Sequence, residues 1–198
     1  IGNFRKDSDK YDSYSDHVIV NYKHSKFSKN KVIGTYRLLQ QKVAEKKIGF
    51  YSAEEFCLDK LIQSDEYTNM LELSRSCISQ KFRNRNVLKL MWKEIYNYIN
   101  TNKIDGMFGT ASFLEIDIQK INNQLLFLQQ NYKMPENIRV KARKYCSAKI
   151  DYSKNIKLNL KLVKSLPTLI KGYIILGFIT PCIIICCDGG GGVGEFFF

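Results

Sequence analysis

LELSRSCI, residues 71–78, runs through the basic loop QKFRNRN into VLKLMWKEIYNYIN, residues 87–100. Leu, Cys and Ile suit a strand, yet Glu72 and Arg75 sit inside the run. In a regular strand side chains alternate faces, so Leu71, Leu73, Arg75 and Cys77 are expected on one side. Glu72, Ser74, Ser76 and Ile78 are expected on the other. Beyond the loop, Leu88, Met91, Trp92, Ile95 and Ile99 recur at helical spacing, which predicts an amphipathic helix packed on a sheet with Trp92 in the core. Strand, basic loop and helix form one unit. The N-terminus of such a helix offers free amides and the positive end of a dipole to an anion, and Lys81, Arg83 and Arg85 add charge. A phosphate site and a solvated basic turn both remain open there.

Working outward, DHVIVNY (16–22) and KVIGTYRLL (31–39) predict a hairpin of two strands across the polar loop HSKFSKN. Residues 40–48 are helix-like but short. Ser52 begins SAEE, a capping-box pattern that predicts a short helix. GMFGTASF (106–113) reads as the next strand, and Asp117 is placed to cap a helix running to about Asn131. Ile118, Ile121, Leu125 and Leu128 should face inward there. IKLNLKLVK (156–164) alternates with period two and predicts a strand. The following SLPTLIKGYIILG predicts a short helix, with Pro167 near its first turn. The order describes a mixed α/β sandwich.

The chain has 198 residues, enough for one domain with a real core. It opens IGNFRKDSDKYDSYSD, with no cleavable leader pattern. Cys57, Cys77, Cys146, Cys182, Cys186 and Cys187 contain no CxxC pair, and His17 and His24 lie far from them in sequence. Reduced thiols are expected, and no metal site. The stretch Gly172 to Cys187 is apolar but broken by Gly177 and Pro181, and falls short of the roughly 20 residues that span a bilayer. A distorted strand pair or a frame-altered tail is expected at this end.

Net charge is +12, and the segment from Arg139 to Lys171 carries ten basic residues against the single acid Asp151. Such a stripe suits an acidic partner: nucleic acid, an anionic membrane surface or an acidic protein. A lysine-rich solvated face is the alternative. Only Tyr145 and Tyr152 interleave with the run, which argues against a stacking platform for single strands and hence against nucleic acid. G-x-S-x-G, Walker and dinucleotide patterns are absent, so covalent catalysis by the chain has no support.

DHVIV, VIGTYRLL, GFYSAEEF, LELSRSC, FGTASF, IRVKA and LPTLIKGYIILG follow one another in an order that resembles the ornithine–acyl carrier protein N-acyltransferases. These form the hemolysin-like branch of the GNAT-fold acyltransferases and are related to acyl-homoserine-lactone synthases. The resemblance runs from about Asp12 to Gly177. It implies an α/β (α+β) GNAT-like fold: a mixed, mostly antiparallel central sheet flanked by helices. One such domain over residues 1–177, N-terminally incomplete, would precede an atypical apolar and glycine-rich tail at 178–198. Departures are Ser15 and Cys57, where Cys and Asp are usual, the missing first segment, and FITPCIIICCDGGGGVGEFFF in place of the closing strands.

The implied reaction moves a 3-hydroxyacyl group from the phosphopantetheine thioester of acyl carrier protein to the α-amine of ornithine, giving lyso-ornithine lipid. No tightly bound cofactor is implied. The thioester is already activated, so the chain must position the amine, remove its proton and stabilise an oxyanion. Glu72 is expected as base, directly or through water, with Asp16 as substitute. Arg37 and Arg75 would hold the acceptor carboxylate or the phosphopantetheine, or orient the acid; Ser76 and Lys171 complete the substrate or carrier contacts. Arg83 and Arg85 would meet phosphate or carrier protein. A buried Glu72–Arg75 ion pair of purely structural role is the alternative, and His17 reads as a satisfied strand histidine. The acidic carrier protein suits the basic stripe, and the lipid product suits a cytoplasmic protein with peripheral contact at an anionic inner-membrane face. A homoserine-lactone synthase, another carrier-dependent N-acyltransferase, or a basic nucleic-acid or membrane-binding module are the competing readings.

Overall fold

The computed structural model describes residues 7–83, 85–113, 115, 117–132, 134–144, 153, 160–175 and 182–187, with only the backbone of Arg85, Ile175 and 182–187. In chain order the elements are β1 (Asp16–Tyr22), β2 (Lys31–Gln40), α1 (Gln41–Lys47), β3 (Phe56–Cys57), α2 (Asp59–Ile62), β4 (Met70–Ile78) and α3 (Arg85–Asn102). They continue with β5 (Gly106–Phe113), α4 (Ile118–Asn131), β6 (Lys141–Ala142), α5 (Leu160–Ser165), α6 (Thr168–Ile175) and β7 (Cys182–Cys187). Contacts group the chain into two compact units: residues 1–51 with 71–104, and residues 52–70 with 105–198.

In the first unit β1, β2 and β4 pair antiparallel. The expected hairpin is present, in register from Asp16 opposite Leu38 to Tyr22 opposite Lys31, with a shift between Val20 and Asn21. On the other side β2 pairs with β4, from Gln40 opposite Leu71 to Gly34 opposite Ile78. Helix α3 covers one face. Met91, Trp92 and Ile95 are buried as their spacing predicts, and the Trp92 ring meets Tyr36 edge-on at 6.0 Å. Close approach is possible because Gly34 has no side chain; a Cβ there would come within 3.2 Å of both Val87 and Met91. Helix α1 ends where Gly49, at φ 75°, turns the chain and gives its amide to the Ala44 carbonyl at 2.7 Å. Positive φ at the end of a helix is the usual place for glycine.

The expected face pattern of LELSRSCI fails after Ser74. Residues 70–74 are buried on both faces. Arg37 stands opposite Ser74 but Thr35 stands opposite Cys77, so β4 spends one residue more than β2 over that interval. Arg75 takes φ 49°, the left-handed region. This is a β-bulge, and the extra residue reverses the alternation beyond it. Cys77 therefore shares the face of Thr35 and Arg37 with Ser74, instead of the face of Leu73.

In the second unit β5 and β7 run parallel, from Phe108 opposite Cys182 to Phe113 opposite Cys187. Of the tail expected to form a strand pair, residues 182–187 are a strand that pairs with β5, and the remainder lies outside the described residues. A two-stranded ladder joins β3 to β6. Asp117 caps α4 as expected, its carboxylate accepting the Gln119 amide at 3.0 Å, and Ile121, Leu125 and Leu128 are buried. Helix α6 follows Pro167, whose carbonyl accepts the Lys171 amide. Two expectations need correction. SAEE makes a 3-10 turn over Tyr51–Glu54, with the Glu55 amide on the Ser52 carbonyl. Leu160–Ser165 is helical where period two predicted a strand; short apolar runs do not separate the two periods, and residues 156–159 lie outside the described residues. Among the described residues no helix is long and apolar enough to cross a membrane.

Candidate active site

The bulge opens beside a cavity of about 400 Å3 in the first unit, lined by Asp7, Asp12, His17, Thr35, Arg37, Arg75, Ser76 and Cys77. Strand β2 supplies Thr35 and Arg37 from one face, because they are two residues apart. Strand β4 supplies Arg75, Ser76 and Cys77, and β1 adds His17 opposite Arg37.

Arg37 is the centre of this wall. Its side chain is only 1% exposed. The Nε group donates to Ser74 Oγ at 2.9 Å, and Nη1 donates to Asp9 Oδ1 at 2.6 Å and to Asp12 Oδ1 at 2.9 Å. Its Cζ lies 5.5 Å from the centre of the Tyr11 ring and 5.4 Å from that of Tyr51, two rings that meet edge-on at 5.6 Å, so the guanidinium packs against both. Among the described residues its Nη2 has no hydrogen-bond partner. Asp12 is held down to a pKa of about 2, first by the Asp9 amide that donates to it at 2.9 Å and then, against burial, by Arg37. For Asp9 burial pushes upward, but bonds from Arg37 and from the Tyr11 amide outweigh it and keep the carboxyl below its ordinary range.

Arg75 shares Asp9 with Arg37 and adds Asp7: its Nη1 donates to Asp7 at 2.9 Å and its Nε to Asp9 at 3.1 Å. Its left-handed backbone is what turns it to that side. Glu72 is fully buried and accepts the Tyr51 amide at 2.9 Å. It stands opposite Leu39, on the face that carries Arg37 and Ser74. His17 Nε2 lies 3.8 Å from Asp12.

The structure thus brings together Arg37, Arg75 and Ser76 around one cavity, with Glu72 on the same strand face. Asp16 belongs to a separate network: the Tyr98 hydroxyl donates to it at 2.6 Å, and Gln40 donates to the same hydroxyl. Burial first, and then the Asp16 carboxylate, push the Tyr98 phenol up to about 12. Arg83 is exposed and returns its Nε to the Ile78 carbonyl at 3.1 Å. Arg85 is the first residue of α3, and its side chain lies outside the described residues. Lys171 is in the second unit, with Nζ on the Lys164 carbonyl. Asp7, Asp9, Asp12, Tyr11 and Tyr51 were not foreseen. The acids stand in the polar run DSDKYD, and nothing local in it points to an arginine 25 residues further on.

Residues 3–93 match the family model of the acetyltransferase (GNAT) domain. The chain is 34% identical over 178 residues to the L-ornithine Nα-acyltransferase of Rhizobium meliloti, covering 89% of this chain and 60% of that protein. It is 33% identical over 175 residues to the proteins of that name in Brucella abortus and Agrobacterium fabrum, covering 87% of this chain and 62% and 60% of theirs. The chain therefore spans about 60% of the length of these curated relatives. No solved structure matches it significantly. Residues 3–93, with the antiparallel sheet and its bulged strand, have the fold of the acetyltransferase (GNAT) domain, and the chain's likeness to L-ornithine Nα-acyltransferases extends over nearly nine-tenths of its length.

Proposed function

We propose that this chain transfers a 3-hydroxyacyl group from acyl carrier protein to the α-amine of L-ornithine, the first step in making an ornithine lipid. The observation that carries the proposal is the similarity to L-ornithine Nα-acyltransferases along 175 to 178 residues. The cavity supplies suitable chemistry. Arg37 and Arg75 present guanidinium groups to an amino-acid carboxylate, which they bind through forked, charge-assisted bonds. The carboxylates of Asp12 and Asp7 line the same space and suit the acceptor's ammonium groups.

In this proposal the amine loses its proton to Glu72 through a water, with Asp16 as the second candidate, and then attacks the thioester carbonyl. The β2–β4 register skips at Arg75 and Ser76, and backbone amides released there from β2 are suited to polarise that carbonyl. The tetrahedral intermediate collapses with loss of the phosphopantetheine thiolate, which leaves with the proton. Ser76, Arg83, Arg85 and Lys171 are proposed carrier-side contacts, and the donor brings its own phosphopantetheine, so no resident cofactor is invoked. We place the protein at the cytoplasmic side of the inner membrane.

The test is direct. Purified chain is incubated with 3-hydroxyacyl carrier protein and, separately, ornithine, lysine or S-adenosylmethionine, and products are identified by mass. Acyl-ornithine is the expected product. Transfer to S-adenosylmethionine instead moves the chain to the lactone synthases, and no transfer to any acceptor by folded protein overturns the proposal.

A further inference from the structure

The loop that joins β1 to β2 is built as an exposed, cationic tip. From His17 to Ala44 the chain has no acid, while Lys23, Lys26, Lys29 and Lys31 cluster around the turn. Within that turn Phe27 is 100% exposed. Its outward position is held by local bonds: Ser28 Oγ accepts the Ser25 amide at 2.9 Å and donates to the Ser25 carbonyl at 2.9 Å. At the root, the Tyr22 ring packs on Phe82 at 4.9 Å, so the tip stands on a fixed base. A lone exposed apolar side chain is ordinary. A phenylalanine held fully in water among four lysines, with no carboxylate to balance them, is not.

We infer that this hairpin tip docks on an anionic lipid bilayer, Phe27 entering the interface and the four lysines meeting lipid phosphates. The occupant follows from the chemistry. Basic residues near an anionic leaflet and an apolar side chain below the headgroups are the two signals that together hold a peripheral protein on a membrane. The tip is at the end of the strand that lines the cavity. Thr35 lines that cavity and sits four residues from Lys31 along β2, about 13 Å at strand rise. Ile19, opposite Thr35 and 52% exposed, continues the same face. The inference rests on the acyl-transfer reading for the reason a membrane is present, whereas the surface is read from these residues alone.

Cosedimentation of the full chain with vesicles tests it. The chain should bind phosphatidylcholine vesicles containing about a third phosphatidylglycerol, far less pure phosphatidylcholine, and progressively less as salt rises. Lys26→Glu with Lys29→Glu should weaken partition by at least about 20-fold, since each lysine near such a surface contributes about five-fold. Phe27→Ser should weaken it several-fold with the salt dependence intact. Both variants should keep the wild-type melting temperature and turnover with soluble donor. In Phe27→Trp the added tryptophan emission should shift to shorter wavelength on anionic vesicles. Absent vesicle binding by the wild type, binding that neither variant weakens, or a tryptophan shift with acidic carrier protein and none with vesicles overturns the inference. Vesicle binding needs no turnover, so its result is separable from the product assay.

Discussion

Replacing Arg37 with methionine separates the electrostatic role of this side chain from its bulk. Methionine retains most of the volume packed against Tyr11 and Tyr51 but removes three donated bonds, to Ser74, Asp9 and Asp12. Breaking a buried ion pair from one side costs about 3–5 kcal/mol. The acids are 23% and 25% exposed, so water partly rescues them and the expected loss sits at the low end, about 3 kcal/mol. With a urea slope of about 2 kcal/mol per molar, the midpoint should fall by about 1.5 M at pH 7. The pH dependence carries a sign. Asp12 titrates at about 2 in the folded chain against 3.8 ordinarily, so its contribution is complete above about pH 4 and is lost as pH falls toward 2. Asp9 shifts in the same direction. The gap between wild type and Arg37→Met should therefore be widest above pH 4 and narrow below it. Asp12 should stay somewhat low in the variant, because the Asp9 amide still donates to it. Urea titrations at pH 7, 4 and 3 measure all of this. A midpoint shift under about 0.5 M at pH 7, or a gap that widens on acidification, would refute the assignment of Arg37 as the electrostatic centre.

Glu72→Gln should fold and lower kcat by about two to four orders of magnitude if Glu72 takes the amine proton; unchanged turnover removes it from the mechanism. Tyr98→Phe should cost about 1–2 kcal/mol by removing the hydroxyl shared by Asp16 and Gln40. Because burial and Asp16 raise the folded phenol to about 12 from 10, that group's contribution is complete below pH 10 and lost as pH rises toward 12. Denaturant midpoints at pH 8 and 11 should thus show a larger gap at pH 8. Gly34→Val should destabilise by about 1–3 kcal/mol, measured by thermal unfolding, because Val87 and Met91 already fill the space beside its Cα.

Much of the fold was legible from local pattern. The β-rich runs DHVIVNY and KVIGTYRLL, helical spacing in 87–100 and the Asp117 cap each depend on residue types within a few positions, and each appears where expected. Ser52 and residues 160–164 misled because short segments satisfy more than one pattern, and neighbours decide between them. The site was legible only in part. Arg75 stood out as a charge inside a strand, Arg37 and Ser76 came from the family resemblance, and the three line one cavity. Asp7, Asp9 and Asp12 looked like an unremarkable polar leader, since their partners are 25 to 68 residues away.

The residue sequence by itself determined the strand and helix segments, the cationic balance of the hairpin and the likeness to ornithine acyltransferases, because these depend on residue identity and short spacing. Tertiary structure alone decided where LELSRSCI breaks its alternation. One extra residue at Arg75, in a left-handed conformation, turns Cys77 onto the face of Arg37 and swings the Arg75 guanidinium to Asp7 and Asp9. No local propensity places a bulge at an arginine; it is set by how β4 must register against β2 while leucines fill the core on one side and Arg37 meets its acids on the other.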